Sequence, residues 1–311
     1  MGKSIEEVLR EAEEQNRQEN MKKATDWMDY IRRLSLFSSP SEVYNNLEIY
    51  DKQHLDEVFN ESSSLIDFDN KNVCMRVEND DPVSLLFKTR FANPDKLVCI
   101  LNPGSFNNPA VGFALGVMDT EAILCHQSNL FEFLSLGQYT TANHHILGKY
   151  SDAMIDYNHN YYKQNRDIAN SGDVYDIPYR FLYTKNVTFI QHSIIPYFKS
   201  EVADVITCSP IRKDDLKQPS DKLKALAIMG KAIQCAIITA YNRGCRIMIL
   251  TEFGDELKYG WDLYETCGMM IKHVNALNLP DMQYLFAIPK VGKKGTEKYN
   301  IFEKNVLRCS L

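Results

Sequence analysis

From residue 73 onward, short runs of β-prone apolar residues alternate with stretches of helical periodicity, and nothing else in the chain constrains its fold as strongly. The runs are Val73–Val77, Leu97–Leu101, Val202–Cys208, Arg246–Thr251 and Gln283–Ile288, each bounded by turn residues. Helical patterns lie between them at Asp119–Leu136, Asp221–Tyr241 and Trp261–Leu277. Strands that are apolar along their whole length must be covered on both faces. The pattern therefore predicts a three-layer α/β/α arrangement around a mainly parallel sheet. Such sheets take ligands beyond the carboxyl ends of their strands, which points to the segments after Leu101, Cys208 and Leu250.

The first 70 residues read differently. Ser4 and Glu7 form a capping box, and two apolar stripes (Ile5, Val8, Leu9, Ala12, then Ala24, Trp27, Met28, Ile31, Leu34) predict helix to about residue 35. The polar stretch Glu13–Lys23 between them is a solvated turn of helix or a break, and Ser38–Asn70 is weakly patterned. Residues 1–70 are expected to be a helical extension packed on a main domain spanning 71–311. Residues 137–177, rich in Tyr, Asn and Asp, read as a long surface insertion, and the lysine-rich Lys290–Lys304 as a solvated C-terminal segment.

Charge and cysteine usage narrow the function classes. The formal net charge of −6 argues against a chain whose main task is gripping nucleic-acid phosphates. No two of the eight cysteines have Cys-x-x-Cys spacing, and most sit in apolar runs. They read as reduced, buried thiols of an intracellular protein. The N-terminus lacks the apolar core of a secretory signal. Ala225–Tyr241, the best membrane candidate, contains Lys231 and Gln234 and reads better as a buried helix. A cytoplasmic or otherwise intracellular protein is the expectation.

One segment carries a family resemblance. Leu101-Asn102-Pro103-Gly104-Ser105-Phe106-Asn107-Asn108-Pro109-Ala110-Val111-Gly112, running on to Glu121-Ala122-Ile123-Leu124-Cys125, resembles the signature of the microbial-type poly(ADP-ribose) glycohydrolases, a branch of the macrodomain superfamily. That signature is a strand ending in Leu-Asn, then Asn-Pro-Gly-Gly-Gly, a short spacer and Gln-Glu-Glu. Phe181–Val187 and Ala203–Pro210 resemble two further family segments, so the likeness covers roughly residues 70–290. It implies a macrodomain-like mixed sheet and a ligand related to ADP-ribose, with Asn102, Asn108, Gly112, Thr120 and Gly254 at the binding site. It implies no cofactor.

The departures from the signature bear on activity. The glycine run becomes Ala110-Val111-Gly112, and Gln-Glu-Glu becomes Thr120-Glu121-Ala122. Ala122 stands where the resemblance places the catalytic acid/base, and alanine cannot transfer a proton. Glu121 is retained, but its neighbour on a helix points about 100° away. At the second ligand loop stands Thr251-Glu252-Phe253-Gly254-Asp255-Glu256, whose three acids are expected to repel a diphosphate unless a cation intervenes, Arg212 and Lys213 being the two that could compensate.

Other constellations carry less. Cys125-His126, His144-His145 and His159 match no zinc spacing, so no metal site is expected. Asp119 and Glu121 also suit a helix N-terminus without any catalytic duty. No Gly-x-Ser-x-Gly elbow or Walker-type loop is present. Three readings follow. The first is a non-hydrolytic protein using the cleft for weak binding of an ADP-ribose-like nucleotide or for a protein partner. The second is an ADP-ribosyl hydrolase working through Glu121 or Asp119. The third is a structural or assembly protein.

Overall fold

The computed structural model describes residues 11, 14–24, 26–27, 45–69, 73–106, 110, 113, 116, 119–135, 152–191 and 199–309. Its strands are β1 (Leu47–Tyr50), β2 (Cys74–Glu78), β3 (Leu97–Pro103), β4 (Phe181–Gln191), β5 (Lys199–Cys208), β6 (Cys245–Leu250) and β7 (Gln283–Ala287). They form one sheet in the order β1-β4-β5-β3-β6-β7-β2. The β1/β4 and β4/β5 pairs are antiparallel and the rest are parallel, so the sheet is mixed.

Alternation along the central strands divides the interior in two. Cys99 and Leu101 of β3, Ile206 and Cys208 of β5, and Met248 and Leu250 of β6 face one core. Val98 and Ile100, Ala203 and Val205, and Ile247 and Ile249 face the other. The first core is closed by α1 (Lys52–Glu61), α6 (Lys222–Asn242), α8 (Leu263–Asn275) and α9 (Gly292–Cys309). The second is closed by α2 (Pro82–Ala92), α3 (Thr120–His126) and α4 (Leu130–Ser135), with Tyr161 and Tyr162 of α5 (Asp152–Ser171). The chain is a three-layer α/β/α structure, as the strand pattern predicts.

Local chemistry sets the helix ends. Asp81 accepts from the backbone N–H of Val83 and Ser84, and Pro82 occupies the first helical position of α2. Helix α6 lies in a stretch long and apolar enough to cross a membrane, yet 67% of its most apolar window is buried in the protein. It is a core helix. Among its buried residues, Gly230 has the His273 ring of α8 lying against it; a Cβ there would approach the ring to 2.1 Å.

Several expectations need correction. The segment read as a helical extension supplies an edge strand, β1. Of the two readings of Glu13–Lys23, a solvated turn of helix or a break, residues 14–23 adopt the helix, while the Ser4–Glu7 capping box lies outside the described residues. The insertion read over 137–177 contains the 20-residue helix α5. The lysine-rich C-terminal segment is part of helix α9, which buries Tyr299, Ile301, Phe302 and Val306. Asp119–Leu136 divides into α3 and α4. All eight cysteines are free and six are buried, but Cys74 is exposed.

The candidate cleft at the carboxyl ends of β3, β5 and β6

Strand β3 delivers Asn102 to the edge of the cleft. Its side chain is fully buried and its Nδ2 donates to Thr207 Oγ1 at 3.1 Å, across the β3–β5 pairing. The chain then turns through Gly104. That N–H donates to the carbonyl of Cys208 at 3.1 Å, and its carbonyl accepts from Ser209 Oγ at 2.8 Å and Tyr259 OH at 2.9 Å. A Cβ at Gly104 would lie 2.4 Å from Thr207 Cγ2 and 2.6 Å from Glu121 Oε1. Glycine is required here by close approach.

Helix α3 faces this turn with its first residues. Asp119 is its N-cap, accepting from the Ala122 N–H at 2.8 Å. Glu121 is fully buried, and its two carboxyl oxygens accept from the Ser105 N–H at 3.3 and 3.4 Å. Burial, only partly offset by the nearby Lys258 cation, raises the Glu121 pKa to about 7. Ala122, one residue on, turns into the core beside Phe113, Leu124 and Cys125, with no exposed surface.

The loop after β6 behaves differently from the expectation of repelling acids. Asp255 caps the short helix α7 (Glu256–Tyr259), accepting from the Lys258 N–H at 2.9 Å. Glu252 is paired with Lys298 of α9; burial raises its pKa and the Lys298 cation opposes that rise. Glu256 is exposed. The residue that reaches the cleft is a cation, Lys258, whose Nζ lies 2.8 Å from Asp119 Oδ2. Burial works against its charge, but Tyr259, Asp119 and Glu121 hold the ammonium above its usual range.

These elements border a cavity of about 400 Å³, within the size range of small-ligand sites. Ser105 and Phe106 line it from the segment after β3, Pro210 and Arg212 from that after β5, and Lys258 and Tyr259 from α7, after β6. The far wall comes from the end of α5 and the turn after it, through Ala169, Val174 and Ile177. The topological expectation for the ligand cleft and the position of this cavity coincide.

The expected site residues are distributed unevenly around it. Asn102 and Glu121 lie behind the Gly104–Ser105 turn, and Thr120 is half-buried at the start of α3. Gly254 adopts φ +99°, and a Cβ there would meet Thr266 and Trp261 at 3.2 and 3.3 Å, so it is turned toward the core. None of the four lines the cavity. Asn108 and Gly112 lie outside the described residues. His126 packs edge-on against Phe113, with ring centroids 4.6 Å apart; His144 and His145 lie outside the described residues, as does the His159 side chain.

Asn165 was not legible as a site residue. It is fully buried on α5, where its Nδ2 donates to the Phe106 carbonyl at 3.0 Å and its Oδ1 accepts from Arg180 Nε at 2.8 Å. Helix α5 thus holds the outer side of the turn that Glu121 holds from within.

The first position of the altered glycine run keeps a glycine-like backbone. Ala110 has φ +47° and is fully buried. Relief of a left-handed alanine gains about 1–2 kcal/mol, while removing a buried methyl costs about 0.8 kcal/mol. Ala110→Gly should therefore leave stability within about 1 kcal/mol of the parent by urea unfolding. A loss of more than about 2 kcal/mol, as expected for a buried alanine in ordinary backbone, would contradict the left-handed assignment.

No protein-family model matches the chain, and no curated protein matches it by sequence. Solved structures do match. Poly(ADP-ribose) glycohydrolase from Thermomonospora curvata superposes with a TM-score of 0.67 at 13% identity, over 93% of this chain and 100% of that one. The same enzyme bound to the inhibitor ADP-HPD gives a TM-score of 0.65 at 13% identity, over 93% and 99%. Poly(ADP-ribose) glycohydrolase from Deinococcus radiodurans in complex with ADP-ribose gives 0.64 at 12% identity, over 88% and 98%.

The fold is that of the microbial poly(ADP-ribose) glycohydrolases.

On this glycohydrolase fold the altered positions acquire a structural setting. Ala122 fills core volume, Glu121 braces the β3 turn, and the β6 loop offers a lysine.

Buried Glu121 gives the folded protein a pH signature. With a folded pKa near 7 against 4.5 for an unperturbed glutamate, the native state holds a proton that the unfolded chain has released between those values. Its contribution is therefore fully present below about pH 4.5 and is lost as pH rises to about 7, by roughly 3 kcal/mol. Glu121→Gln removes this titration. The stability difference between variant and parent should move in the variant's favour from pH 4.5 to pH 8, measured by urea unfolding at each pH. A difference that does not change with pH would contradict the buried, proton-holding carboxyl.

Proposed function

We propose that the protein binds an ADP-ribose-like nucleotide in the cleft at the carboxyl ends of β3, β5 and β6, weakly and without hydrolysing it. The observation that carries this reading is the engagement of the two acids of the α3 N-terminus. Asp119 caps the helix and pairs with Lys258, and Glu121 accepts the Ser105 N–H from a fully buried position. Ala122 contributes only a methyl group. A general acid must come within hydrogen-bond reach of the oxygen it protonates. Neither acid lines the cavity.

Support for nucleotide binding comes from the cavity itself. It has an apolar side (Phe106, Val174, Ile177) for a base or sugar and a cationic side (Arg212, Lys258) for phosphate. Two solved proteins of the same fold are described as bound to ADP-ribose and to the inhibitor ADP-HPD.

Isothermal titration with ADP-ribose tests the binding half. The expected dissociation constant is weaker than about 1 µM, less than about 8 kcal/mol, because the phosphates meet an existing ion pair instead of free backbone amides. Binding tighter than that would contradict the description of the cleft, and no binding at all would overturn the nucleotide reading.

A further inference from the structure

We propose that the cleft holds the phosphates of its ligand through the side chains of Lys258 and Arg212, with Asp119 competing against the ligand for Lys258. This rests on the nucleotide-binding reading and goes further by naming how the anion is held and what limits its affinity.

The backbone amides of Gly104 and Ser105, in the turn after β3, are already in use. The Gly104 N–H donates to the Cys208 carbonyl, and the Ser105 N–H donates to the Glu121 carboxyl. Cations line the cavity beside this turn. Lys258 follows β6 and Arg212 follows β5, and both line the same cavity. Arg212 has no ion-pair partner among the described residues, whereas Lys258 pairs with Asp119 at 2.8 Å. Two positive side chains lining one cavity match the charge of a diphosphate, and charge-assisted hydrogen bonds to phosphate oxygens are the strong ones.

Asp119 makes the arrangement self-competing. A phosphate oxygen that reaches Lys258 must share it with, or displace, a carboxylate held in place as the cap of α3. Asp215 also lines the cavity, is exposed and adds a second, screened negative charge. Asn at position 119 would keep the capping acceptor and remove the charge, since Asn and Asp cap helices about equally well.

The test is titration of inorganic pyrophosphate and of ADP-ribose into the full chain at low salt, with thermal melts to verify folding. Lys258→Met and Arg212→Gln should each weaken pyrophosphate binding about tenfold or more, and Lys258→Arg should retain it. Asp119→Asn should tighten it by about tenfold. A parent protein that does not bind pyrophosphate overturns the proposal. So does unchanged binding in folded Lys258→Met or Arg212→Gln, or an Asp119→Asn variant no tighter than the parent. Pyrophosphate binding that depends on Lys258, with no binding of ADP-ribose, would sink the nucleotide reading and leave this proposal standing. ADP-ribose binding indifferent to both cations would do the reverse.

Discussion

Gly104→Ala is expected to destabilise the protein by roughly 3 kcal/mol and to abolish ligand binding in the cleft. The added Cβ would sit 2.4 Å from Thr207 Cγ2, 2.6 Å from Glu121 Oε1 and 3.3 Å from Asn102 Nδ2. All three side chains are buried, and the first and third are hydrogen-bonded to each other, so none can swing into solvent. Overpacking of this kind costs about 1–3 kcal/mol. Pushing Glu121 away from the Ser105 N–H leaves a buried polar group without its partner, about 1–3 kcal/mol more. For a chain of this size the melting temperature should fall by about 5–10 °C. Gly268→Ala is the control, because a Cβ there meets nothing within 4 Å; in helix α8 it should be neutral or stabilising. Equal melting temperatures for the two variants would show that the turn is not held as described.

Ala122→Glu is the change that would restore the signature's missing acid, and it is expected to cost stability without creating activity. Position 122 has no exposed surface and lies in the second core, among Ala110, Phe113 and Leu124. A glutamate there buries either an unpaired charge or a strained, uncharged carboxyl beside apolar neighbours, a change in the class that costs about 3–5 kcal/mol. Folding and hydrolysis should fail together. A folded Ala122→Glu variant that releases ADP-ribose would show that the side chain reaches the cleft, contrary to the packing of α3.

The sequence made the central sheet legible because β3, β5, β6 and β7 are buried on both faces and read as near-continuous apolar runs such as Val98–Leu101. Edge strand β1, Leu47-Glu48-Ile49-Tyr50, is only four residues long and half polar, and gave no comparable signal. Helix α5 buries Tyr161, Tyr162 and Asn165, a stripe made of polar aromatics and an amide, so its residues read as surface. Helix α9 was obscured by its four lysines, although Ile301, Phe302 and Val306 mark the face it buries.

The site was legible in part for similar reasons. Asp119 and Glu121 could be placed at a helix N-terminus from local pattern alone. The direction of each side chain could not: only packing shows that Glu121 faces the β3 turn while Ala122 faces the core. The acids after β6 read as an obstacle because their partners, the Lys258 amide and Lys298, are contacts made by the folded chain. Lys258 itself lies just beyond that acidic segment and was not read as part of the loop.

The central claim is that this glycohydrolase fold binds without cutting. Incubation of the purified protein with poly(ADP-ribose), with released ADP-ribose quantified by mass spectrometry, tests it most directly. The account predicts no release above the rate without protein, since absence of a general acid alone costs about 10²–10⁴-fold. Sustained release that disappears in Glu121→Gln would contradict it, and would make the buried carboxyl a catalytic acid.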